Sequence, residues 1–64
     1  MSTEKELYSI AKTKFEYELN HIKDGDVVRS IRHIVNCAMK SSTVTFSDYT
    51  YEKVCKKLIT EVSQ

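Results

Sequence analysis

The chain contains four side chains able to ligate a soft metal or to form a thiol–imidazole pair: His21, His33, Cys37 and Cys55. His33 and Cys37 stand four apart within the stretch Asp26 to Lys40, DVVRSIRHIVNCAMK, so a helix would carry both on one face. The inventory matches Cys2His2, yet structural zinc sites draw on close Cys or His pairs, and the spacings here fit no such template. Cys55 in addition falls on an apolar stripe, where a thiol behaves as a small hydrophobe. No metal and no cofactor is therefore expected. As a nucleophile and base, His33 and Cys37 lack a third group to orient them, and a chain this short has little material to wall off a cleft. Ser30 has no distinctive context, and Glu16 and Glu18 lie on different sides of one helix. No catalytic residue is assigned.

A second set of residues has the chemistry of binding. Arg29, Arg32, Lys40, Lys53, Lys56 and Lys57 gather on the polar faces of two segments. Ile10 and Tyr17, seven apart, lie off the main apolar stripe of the first segment, and Tyr49 lies off that of the last. Aromatic side chains outside a core are frequent binding anchors. A phosphate-binding role for the cations would suit a small DNA-binding regulator, with Lys23-Asp24-Gly25-Asp26 as the turn of a helix-turn-helix. Asp24 and Asp26, however, occupy the end from which a recognition helix reads bases, and position 21 is His where a close helix crossing needs a small residue. Gly-rich loops and aromatic stacking platforms are also missing. The net charge is +1, with −2 over residues 1–26 and +3 over residues 27–64, so the whole molecule attracts nucleic acid or anionic membrane only weakly. An acidic protein partner explains the cations as well.

Three helices would position these residues. Thr3-Glu4-Lys5-Glu6 fits a capping box, and Leu7, Tyr8, Ala11, Phe15, Leu19 and Ile22 repeat at intervals of three and four without a breaker, predicting one helix over residues 4–22. Gly25 is placed to close it in the left-handed conformation, and Asp26 to cap the next helix with its carboxylate. Val27, Val28, Ile31, Ile34, Val35 and Ala38 make the inner stripe of a second helix, residues 27–40. The connection is short enough for an antiparallel αα-hairpin. Ser41 to Asp48, SSTVTFSD, is rich in hydroxyls and β-branched side chains and reads as a loop whose Val44 and Phe46 tuck under the bundle. Ser47 or Asp48 then caps a third helix over residues 48–62, with Phe46 and Tyr51 at the positions of a hydrophobic staple. Its inner stripe is Tyr51, Val54, Cys55, Leu58, Ile59 and Val62.

The expected fold is thus a single all-α domain over residues 1–64, a small three-helix domain with Leu7, Ala11, Phe15, Leu19, Ile22, Val28, Ile31, Val35, Leu58 and Val62 in its core. A domain of this length buries only about 60% of its unfolded surface, so self-association as a homodimer is favoured over a lone monomer. The composition, 41% hydrophobic with one glycine and no proline, suits a folded helical protein rather than a disordered one. No signal-peptide pattern or membrane span is found, which places the chain in the cytoplasm, with reduced cysteines. The function expected is that of a non-enzymatic protein-interaction module, a regulator or inhibitor that docks a helical face on another protein. Its candidate contacts are Ile10, Tyr17, Arg29, Arg32, Lys40, Tyr49, Lys53 and Lys56, and DNA-binding transcriptional regulation is the alternative.

Overall fold

Apolar residues at helical spacing fold into helices, and the computed structural model, which describes residues 3–22 and 24–63, holds four of them: α1 (Thr3–Lys14), α2 (Glu16–Asn20), α3 (Val27–Ser41) and α4 (Asp48–Val62). A 3₁₀ turn, Asp24–Asp26, leads into α3. The all-α class follows the sequence pattern, and no strand occurs among the described residues. The capping box expected at Thr3 turns on a side chain outside the described residues.

The predicted first helix is broken in two at Phe15, whose backbone sits at φ −120°, ψ 28°. Hydrogen bonding nevertheless runs through the break, from Phe15 N–H to the Ala11 carbonyl at 3.2 Å and from Leu19 N–H to the Phe15 carbonyl at 3.0 Å. Neither glycine nor proline is involved. Two residues earlier the Thr13 hydroxyl donates to the Ser9 carbonyl at 2.8 Å, a back-bond that competes with the helical ladder and bends helices. Charge supports an ending and a restart at this point. Lys12 and Lys14 close α1 and Glu16 and Glu18 open α2, each sign facing the helix terminus that favours it.

The hairpin turn also departs from expectation. Gly25 has no positive φ; it lies within the 3₁₀ turn, where a Cβ would meet nothing within 4 Å. Asp26 does precede α3, but at φ −125°, ψ 26° its carboxylate makes no capping bond. An N-cap side chain reaches the first amides from extended backbone, and the 3₁₀ winding denies Asp26 that geometry. Ser47 has it: at φ −77°, ψ 162° its hydroxyl accepts from Thr50 N–H at 3.2 Å.

The core joins Leu7 and Ala11 of α1, Leu19 of α2, Ile31, Ile34, Val35 and Ala38 of α3, and Val54, Cys55 and Leu58 of α4, with Phe46 folded under from the loop. Phe15, Ile22 and Val62 are half-buried and pack against its edge. Val28 is a correction, since it is 53% exposed. It lies on the same flank of α3 as Val35 but two turns earlier, among Gly25, Arg29 and Arg32 of the helix entrance. Val44 is likewise 41% exposed, so only Phe46 of the loop pair is tucked in. Ile10, expected to be spare, is half-buried and packs on the core.

Two polar clusters fasten α4 from opposite sides. On the α1 side the Tyr8 hydroxyl donates to Glu61 at 2.5 Å, Lys12 lies 3.5 Å from the same carboxylate, and the Lys57 ammonium sits 4.5 Å above the Tyr8 ring. Glu61 thus turns to α1 rather than to Lys57, its i−4 neighbour on α4. On the α3 side Arg32 pairs with Glu52 at 3.2 Å while the Tyr51 hydroxyl donates to the Arg32 carbonyl at 3.2 Å.

Candidate functional site: the groove between α2 and α3

The bend at Phe15 aims α2 along the N-terminal half of α3 and leaves an open groove of about 590 Å³ between them. Its apolar side is Ile22 and the buried Ile34. Tyr17, 70% exposed, stands on the α2 wall with its ring stacked on His21, centroids 4.2 Å apart. The stack is braced through the backbone, because His21 Nδ1–H donates to the Tyr17 carbonyl at 2.8 Å. Opposite stand Arg29 and His33 of α3, with Glu18 and Asp26 also on the lining. Along α3 the recess spans Asp26 to Ile34, about two helical turns or roughly 12 Å.

Of the eight predicted contact residues, Tyr17 and Arg29 meet in this groove. Arg32 does not join them, being held by Glu52 with its guanidinium carbon 5.8 Å from the Tyr51 ring. That carboxylate holds the guanidinium pKa above its ordinary value, and this cation already has a partner within the chain. Lys40 is exposed at the far end of α3, and Lys56 is exposed on α4. Tyr49, 71% exposed, opens α4 with the Lys53 ammonium 5.4 Å from its ring, away from the groove. Ile10 is taken up by the core, as described above.

Sequence reasoning missed His21, Ile22, Ser30 and Ile34 as partners in one recess. Positions 17 and 18 of α2, with 21 and 22 just past its end, make one wall, and positions 29, 30, 33 and 34 of α3, with 26 just before its start, make the other, but nothing in the spacing says that the two face each other.

No three His, Cys, Asp or Glu side chains among the described residues could hold one metal ion. Cys55 is buried, and burial pushes its thiol pKa up. His33 Nε2 and Cys37 Sγ are in hydrogen-bond contact at 3.7 Å, one turn apart on α3, with Cys37 half-buried. No helix is long and apolar enough to cross a membrane among the described residues. No known protein family matches the chain, and neither does any curated protein or solved structure.

Proposed function

We propose that this chain is a small non-enzymatic interaction module, a regulator or inhibitor, that receives an acidic amphipathic helix of a partner protein in the groove between α2 and α3. The observation that carries the reading is Tyr17, a large aromatic ring held out of the core and stacked in place beside an apolar recess. A preordered ring costs little entropy on binding, which is what an anchor at an interface requires. The recess is about two turns long, matching an i, i+3 or i+4, i+7 set of apolar anchors on a docking helix. Arg29 lines the groove and Lys40 continues the same outer stripe of α3. Neither takes part in an ion pair among the described residues. Carboxylates on the outer positions of the guest helix would meet them, and such rim charges set on-rate and partner choice.

A non-enzymatic role is supported by the surroundings of the reactive groups. His21 is engaged with Tyr17, and among the described residues no third side chain hydrogen-bonds the His33–Cys37 pair. The test uses a synthetic helix with leucines at the inner positions and glutamates outside, titrated into the labelled protein and followed by amide shifts. Perturbations should cluster on residues 17–22 and 29–34. Tyr17→Ala should weaken binding about tenfold or more, and Arg29→Glu should weaken the glutamate helix while improving a lysine version. Binding that ignores both substitutions, or shifts that map elsewhere, would overturn the proposal.

A further inference from the structure

We propose that His33 and Cys37 form half of a tetrahedral zinc site, completed by His33 and Cys37 of a second copy of this chain across a two-fold axis. The evidence is geometric. Zinc lies about 2.3 Å from a thiolate and about 2.0–2.1 Å from an imidazole nitrogen, so two such ligands of one tetrahedral ion stand about 3.6 Å apart. His33 Nε2 and Cys37 Sγ stand 3.7 Å apart. Their spacing of four on the 15-residue α3 keeps both side chains on one side of a well-supported helix, a turn apart. His33 is exposed and Cys37 half-buried, so an ion can approach from solvent without opening the core.

Within one chain the set stops at two. No group of three metal-binding side chains occurs among the described residues, and the second thiol, Cys55, is buried in the core among Val54 and Leu58. A structural zinc ion takes four ligands. Two-fold symmetry is the commonest way in which identical chains meet, and it repeats one patch on both partners, so it turns the pair into Cys2His2 with no further residue required. On binding, each Cys37 thiol releases its proton to solvent while His33 binds as the neutral imidazole. Two thiolates then balance Zn²⁺, and the completed site adds no charge to the basic side of α3.

A second copy also suits the size of the molecule. The chain exposes 4638 Å², against roughly 4,200 Å² for a folded monomer of its mass. Its radius of gyration, 10.8 Å, is meanwhile that of a compact domain, about 10.7 Å at this length. With extents of 32 × 19 × 15 Å the molecule is nonetheless elongated, which raises its exposed surface, and a twin set against α3 would cover part of it. This inference does not depend on the docking proposal, although His33 lines the groove and the two events compete for that wall.

The test is metal titration of the reduced 64-residue chain. Zn²⁺ alone should bind at one ion per two chains and convert a monomer to a dimer in sedimentation equilibrium, reversed by a chelator. Co²⁺ in its place should give the intense visible bands of tetrahedral S₂N₂ ligation together with thiolate-to-metal charge transfer. Loss of mere outer-sphere partners weakens metal sites about 10–100-fold, so Cys37→Ser and His33→Ala should each weaken Co²⁺ binding about a hundredfold or more. His33 is exposed and Cys37 half-buried, and unchanged circular dichroism will show that the variants stay folded. Zinc bound at one ion per chain without association would overturn the proposal, as would cobalt bands that survive Cys37→Ser or the absence of metal binding by the folded, reduced chain.

Discussion

Tyr8→Phe isolates a single bond in the cluster that fastens α4 to α1. The substitution keeps the ring, and with it both the packing against the core and the Lys57 contact at 4.5 Å. What it removes is the hydroxyl that donates to Glu61 at 2.5 Å. A hydrogen bond to a charged acceptor contributes about 1.5–3 kcal/mol. The Glu61 side chain is 37% exposed and its companion Lys12 is 48% exposed, so solvent screening brings the expected loss down to about 1 kcal/mol. For a domain of this size that lowers the melting temperature by roughly 4–8 °C. The bond also fixes how the loss depends on pH. Tyr8, and behind it Lys12, holds the Glu61 carboxyl below the ordinary carboxylate value of 4.5. Where the folded pKa is the lower one, the unfolded chain takes up the proton first. The stabilisation is then complete above the ordinary value and is lost as pH falls through the folded one. The Tyr8 phenol is raised above its ordinary 10.0, chiefly by donating to Glu61. Its share is complete below the ordinary value and is lost as pH rises through the folded one. Urea melts of both proteins by far-ultraviolet circular dichroism across this range should give a difference that is flat near neutrality and shrinks toward both extremes. A variant as stable as the parent at neutral pH, or a difference unchanged into acid, would refute the reasoning.

The remaining expectations concern the caps and the core. Ser47→Ala removes the acceptor for Thr50 N–H and should cost about 1 kcal/mol, with Ser47→Asp close to the parent in the same melts. Gly25→Ala should stabilise by about 0.4–1 kcal/mol, because φ is not positive there and the added Cβ has open space, leaving only the entropy of the unfolded chain to change. Ile31→Ala opens a cavity at a fully buried site and should cost about 2–5 kcal/mol, enough to leave much of the chain unfolded. Val28→Ala should stay within about 0.5 kcal/mol, in keeping with its exposure; a large loss there would restore Val28 to the core.

What the sequence made legible was whatever rests on periodicity within one segment. The bounds of α3 and α4 follow from stripes such as Ile31, Ile34, Val35 and Ala38, and from Ser47, whose hydroxyl and extended backbone need no distant partner. The groove was not legible because it is a relation between segments. An unbroken first helix would keep Ala11, Phe15 and Leu19 in one row; the turn of the backbone at Phe15 instead sends Leu19 under the core and leaves Phe15 half-buried at its edge. No breaker marks the place. Its signs are a Thr13 hydroxyl free to bond back to Ser9 and the change from Lys12 and Lys14 to Glu16 and Glu18, and each of these also occurs in helices that run on. The aim of α2 decides whether Tyr17 stands over α3 or points away from it. The feature hardest to read from residue types is therefore the one that assembles the candidate site, and in this chain the local irregularity at Phe15 says more about where the groove forms than the regular stripes do.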